Sequence, residues 1–231
     1  MSERDLQRRY LDAMEIVVWE QRSARFPKEN PCNDEVDGSL LSTRLVEDMD
    51  WPTLQATVEN CRLCELCNSR NRTVFGVGDL QADCLIVGEA PGADEDRLGD
   101  PFVGRAGQLL NSMLRAIGLK REQVYIANIL KCRPPKNRDP RPDEMANCEP
   151  YLIRQIALLQ PKVIVAAGRI AAQTLLQSSA PIGRLRGSRH VYQAANLPMV
   201  VTYHPAYLLR SPSQKAKSWE DLKILRKILD E

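Results

Sequence analysis

Apolar residues along the chain fall into short runs separated by longer segments of helical spacing. Residues 85–88 form a brief apolar strand that ends in a Gly-rich turn. Residues 105–117 follow with helical periodicity, and 124–129 make a second strand. Residues 142–159 predict a helix, with Pro142 at its start and Asp143 and Glu144 in the first turn, where acids suit the helix dipole. Residues 163–168 read as a third strand, 169–177 as a helix and 199–203 as a fourth strand. A helix over 214–229 closes the chain, with Leu222, Leu225 and Leu229 on one face. Alternating strands and helices predict a three-layer α/β/α sandwich around a mostly parallel four-stranded sheet. Ligands of such sheets bind beyond the carboxyl ends of the strands. The residues after each strand, Gly88-Glu-Ala-Pro-Gly92, Asn128, Gly168 and His204-Pro-Ala-Tyr207, are therefore expected to meet at one edge.

The first fifty residues differ. Leu6, Tyr10, Met14 and Val17 recur at helical spacing over 3–22, and Pro27, Pro31 and Gly38 mark a linker over 23–50. The expected organisation is an N-terminal helical extension over 1–50 and one domain over 51–231. Charge divides the same way: residues 1–50 carry a net −5 and residues 51–231 a net +7, within an overall +2. A basic body favours a polyanionic partner, because phosphate contacts release counterions. No apolar run approaches the length of a membrane span, and the first residues lack a secretory pattern, so the expected location is the cytoplasm.

Seven cysteines in such a chain point to metal binding rather than to a disulfide framework. Cys61 and Cys64 form a C-x2-C pair, and Cys132 and Cys148 supply a second, distant pair. Four thiolates suit zinc or an iron–sulfur cluster. Cys67 lies three residues after Cys64, so spacing leaves the choice within Cys61, Cys64 and Cys67 open, and zinc against iron as well. Cys84 opens a buried strand and reads as a small apolar filler, while Cys32 falls in the linker. The segment from Lys131 to Arg141 carries five basic residues, Arg138 among them, and one acid, and is expected to face a DNA backbone.

Other residue types narrow the chemistry. Asn128 ends an apolar strand, where a carboxamide needs a partner, and it offers a donor and an acceptor side by side to a ligand. His204 follows the fourth strand and is one of two histidines; a donor held there can stabilise negative charge that grows on a leaving group. His190, the other, sits in a basic segment and reads as a phosphate or solvent contact. The Gly-x4-Gly-Lys-Ser/Thr phosphate loop is absent, which argues against a nucleotide-handling protein that uses zinc.

Four segments together carry a resemblance: Gly88-Glu-Ala-Pro-Gly92, Pro101-Phe-Val-Gly-Arg-Ala-Gly-Gln-Leu-Leu110, Asn128-Ile-Leu-Lys-Cys-Arg-Pro-Pro135 and His204-Pro-Ala-Tyr-Leu-Leu-Arg210. Over residues 53–230 the chain resembles the family-four uracil-DNA glycosylases. The resemblance implies the uracil-glycosylase sandwich, a [4Fe–4S] cluster on Cys61, Cys64, Cys132 and Cys148, and Cys67 as a bystander. It implies hydrolysis of the N-glycosidic bond of uracil flipped out of single- or double-stranded DNA, by a monomer. Phe102 would stack on the base. Glu89 would stand beside it to orient water or stabilise an oxocarbenium-like sugar, with Glu95 nearby and the small Ala90 leaving room. Tyr207 and Leu208 are candidate wedges into the base stack, Arg210 a phosphate contact, and Gly168 a close approach of backbone to phosphate. A non-catalytic DNA-damage-binding module with a structural metal cluster is the alternative, in which Asn128 and His204 would only recognise.

Overall fold

The structure is a computed structural model and describes residues 46–231. The expected helix over 3–22 and most of the linker lie outside the described residues. Four strands run parallel in the middle of a six-stranded sheet: β2 (Cys84–Gly88), β3 (Tyr125–Asn128), β4 (Val163–Ala167) and β6 (Leu197–Thr202). The order across the sheet is β1-β3-β2-β4-β6-β5. The two strands not expected from sequence, β1 (Val77–Gly78) and β5 (Arg189–Tyr192), pair antiparallel at the edges. The four-strand expectation is thus corrected to a mixed sheet of six. Two residues cannot display a periodicity, and β5 exposes most of its length in a polar, basic stretch, so neither carries an apolar signature.

The central strands are buried on both faces, which is why they read as continuous apolar runs. Along β2, Leu85 and Val87 join a core with α4 (Pro142–Leu159) and α5 (Arg169–Leu176). Cys84 and Ile86 face the opposite way, into a core shared with α3 (Arg105–Ala116) and α8 (Lys215–Asp230). The remaining helices are α1 (Trp51–Glu59), α2 (Ala93–Leu98), α6 (Ile182–Leu185) and α7 (Pro205–Arg210). A third apolar cluster gathers Leu54 and Val58 of α1 with Leu66, Leu130, Cys132, Cys148 and Tyr151, away from the sheet.

Chain direction across the sheet decides where the site lies. From β2 the chain crosses to β3 on one side and later to β4 on the other. The loops leaving β2 and β4 therefore diverge and open a crevice at their carboxyl ends.

Candidate active site

A cleft of about 690 Å³ occupies that crevice. Glu89, Ala90, Glu95, Phe102, Asn128, Gly168, His204, Tyr207 and Arg210 all line it, so four separate chain segments meet as expected.

Asn128 closes β3 and is 2% exposed. Its carboxamide lies directly across Gly88: a Cβ at Gly88 would come 2.3 Å from Asn128 Oδ1 and 2.8 Å from the Phe102 ring. Glycine there lets amide and ring reach one spot. The Asn128 carbonyl accepts from Lys131 Nζ at 3.0 Å, and the same ammonium donates to Gln155 Oε1 at 2.6 Å. Lys131 is thus a buried brace beneath Asn128 and not a DNA contact, a correction to the reading of the basic segment.

His204 caps α7. Its Nδ1 accepts a hydrogen bond from the Ala206 backbone N–H at 3.1 Å. A backbone amide can only donate, so Nδ1 carries no proton, and the neutral ring carries its proton on Nε2. Burial, reinforced by the charge of Arg210, pushes the imidazole down to about 4. His204 is therefore a neutral Nε2–H donor at neutral pH, which resolves a choice the sequence leaves open. Its ring stacks beside Phe102 with centroids 5.4 Å apart. Gly168, at φ +107°, makes room for it, since a Cβ there would stand 2.9 Å from His204 Cβ.

Glu89 follows β2 directly, and burial, with Asp139 nearby, raises its carboxyl above the ordinary range while Arg169 opposes the shift. Arg169 and Asp139, both at the cleft, pair with each other at 2.5 Å. Glu95 does something more specific than line the wall: its Oε1 accepts from the backbone N–H groups of Val103 and Gly104 at 2.9 and 3.1 Å.

Two further expectations change. Leu208 is 1% exposed and packs in the core beneath α7, four residues and one helical turn from His204, so it is not placed to enter a base stack. Tyr207 reaches the cleft and packs against Tyr203 at 5.0 Å. Arg138 lines the cleft mouth, but its guanidinium grips the buried carboxylate of Glu144 with both terminal nitrogens. The sequence reading missed Arg169, Asp139 and Tyr203. Arg169 and Tyr203 carried a usable signal, since each stands at a strand end; Asp139 carried none.

The four expected cysteines line one separate pocket, walled by Val58, Leu66, Leu130 and Tyr151. Cys132 Sγ accepts from Arg70 Nη1 at 3.0 Å and Cys148 Sγ from the Lys131 N–H at 3.2 Å. Burial pushes the Cys64 thiol up to about 11 and that of Cys148 to about 12, so a cationic centre is needed to hold them as thiolates. Among the described residues no three His, Cys, Asp or Glu side chains converge on a single-ion site. Four thiols line this apolar pocket, two of them accepting N–H bonds, a donor set that suits a metal centre.

The family model of the uracil DNA glycosylase superfamily matches residues 75–225. A type-4 uracil-DNA glycosylase of Archaeoglobus fulgidus is 44% identical over 174 residues, 72% of this chain and 86% of the relative. The chain belongs to the type-4 uracil-DNA glycosylases. The type-4 enzyme of Thermotoga maritima is 42% identical over 161 residues, 69% of this chain and 83% of its own length. A type-5 uracil-DNA glycosylase of Thermus thermophilus is 33% identical over 184 residues, 65% of this chain and 82% of its own. Among the described residues of this type-4 glycosylase, no helix is long and apolar enough to cross a membrane.

Proposed function

We propose that the protein hydrolyses the N-glycosidic bond between uracil and deoxyribose in DNA, beginning base excision repair. The convergence of Phe102, Asn128, His204 and Glu89 on one cleft carries the reading. Uracil must leave the duplex to be reached, and a cleft of about 690 Å³ accommodates an extruded nucleotide. Phe102 offers an aromatic face for stacking. The Asn128 carboxamide makes no hydrogen bond to another described residue, so its donor and acceptor are available to the N3–H and O4 edge. Cytosine presents the reverse pattern at that edge and is rejected to the extent that the crowded Asn128 amide, packed across Gly88, keeps one orientation.

As the C1′–N1 bond breaks, negative charge gathers on the uracil ring. The His204 Nε2–H, oriented by the Ala206 amide, donates to O2 and stabilises that charge without itself being transferred. Glu89 orients a water toward C1′ and offsets positive charge on the sugar. Its raised pKa keeps it able to take the proton that water loses. Arg210 and Gly168 line the cleft, where they would meet DNA phosphates. All these groups come from one chain, so a monomer suffices.

Cys61, Cys64, Cys132 and Cys148 would hold a [4Fe–4S] cluster, which supplies cross-linking rather than chemistry at the sugar. It would tie the end of α1 to the segment after β3, and so support the Lys131–Asn128 brace.

The deciding experiment incubates the purified protein with a uracil-bearing oligonucleotide and then treats it with alkali. Strand scission at the uracil position is expected, with none for a cytosine control. Tight binding without scission would identify a damage-binding module instead.

A further inference from the structure

Phe102 occupies an unusual backbone conformation. Its φ is +52°, in the left-handed region that residues with a side chain seldom adopt. Such strain persists only where neighbours enforce it. Two charged groups bracket the segment from opposite sides. The Glu95 carboxylate takes the N–H groups of Val103 and Gly104, just after Phe102. Arg121, far along the chain before β3, donates from Nη2 to the Pro101 carbonyl at 2.6 Å and from Nη1 to the Phe102 carbonyl at 3.2 Å. Arg121 Nη1 also reaches Asn111 Oδ1 on α3, which fixes the guanidinium sideways. Gly107 supports the same carbonyl from below: a Cβ there would stand 1.7 Å from Phe102 O.

We propose that Arg121 is a positioning residue for excision, holding Phe102 in the left-handed conformation that presents its ring to the flipped base. The inference rests on the reading of Phe102 as the stacking platform. A guanidinium suits the task because its rigid planar fork aims separate N–H groups at two successive carbonyls and at Asn111, a fixed geometry that the single nitrogen of a lysine does not reproduce. Arg121 lies outside the cleft lining, so it acts through the loop and not on the base. Carbonyls on one side and amides on the other leave the loop little freedom to relax toward negative φ.

The test is a double-mutant cycle of Arg121→Met and Phe102→Ala, read as single-turnover excision and kcat/KM on a uracil oligonucleotide. Release of the loop lets the left-handed conformer fall on the order of tenfold in population. Arg121→Met is therefore expected to lower kcat/KM about tenfold, or about 1.4 kcal/mol, mainly through KM. In the Phe102→Ala background the same substitution is expected to change the rate less than twofold, because the ring it positions is gone. Arg121→Lys keeps the charge and should fall with Arg121→Met if bidentate geometry matters; it also serves if Arg121→Met folds poorly. Equal losses in both backgrounds, or no loss in either Arg121 variant, would overturn the proposal. Full activity in Phe102→Ala would instead remove the stacking reading, and this inference with it, before Arg121 is considered.

Discussion

Replacing His204 with alanine removes the only imidazole in the cleft and, with it, the side-chain cap on the Ala206 N–H of α7. Deleting one preorganised donor to a developing anion costs on the order of 10²–10³ in rate. The pH dependence separates a neutral donor from a charged one. A pKa of about 4 leaves about one imidazole in three hundred protonated at pH 6.5, where an ordinary histidine would be half protonated. The ratio of wild-type to His204→Ala rates is therefore expected to stay flat from pH 8.5 down to about 5.5. Glu89 must be ionised to orient water and titrates above the usual carboxylate range, so both proteins should lose activity together toward acid. Taking the ratio cancels that loss. The assay is single-turnover excision from a uracil oligonucleotide with alkaline cleavage, at constant ionic strength because DNA affinity is salt-dependent. A wild-type rate that rises through an apparent pKa near 6.5 as the solution is acidified, absent in His204→Ala, would show an imidazolium donor. It would refute the tautomer argument.

Other outcomes follow from the same geometry. Because His204 titrates near 4 when folded and near 6.5 when unfolded, its contribution to stability is complete above pH 6.5 and is lost as pH falls toward 4. That loss is at most about 3 kcal/mol, and urea unfolding of wild type against His204→Gln across that window should show it. Gly168→Ala forces a side chain into φ +107° and against His204 Cβ; excision should drop more than tenfold with a melting temperature lowered by about 2–8 °C. Asp221→Ala leaves Arg186 half of a buried pair and should cost about 3–5 kcal/mol in chemical unfolding, with little change in excision by the protein that remains folded. Cys132→Ser should lose visible absorbance and iron content together with solubility; a variant as coloured and soluble as the parent would remove Cys132 from the ligand set.

The parts of this molecule that were legible in sequence share a cause. β2, β3 and β4 are buried along their whole length and β6 along most of it, so nearly every position had to be apolar or small, and such runs announce themselves. Asn128 and His204 stood out because each puts a polar group at the end of such a run, Asn128 buried and His204 half-buried, where a functional or paired role offsets the lost solvation. The edge strands β1 and β5 face water and carried no comparable constraint. The basic segment misled in a related way. Counting charges treats all of Lys131, Arg138 and Arg141 as free for phosphate, yet Lys131 is buried beneath Asn128, Arg138 grips Glu144 and Arg141 pairs with Glu65. Their partners lie 3 to 76 residues away, so the cancellation is invisible until the chain folds. Arg121 is the same lesson with the sign reversed. It sits between Lys120 and Glu122 in an ordinary polar turn, and only its reach to the Pro101 and Phe102 carbonyls gives it a place in the chemistry. The candidate groups of the cleft are thus visible in local pattern, while the groups that brace them are set by long-range hydrogen bonds that no local pattern records.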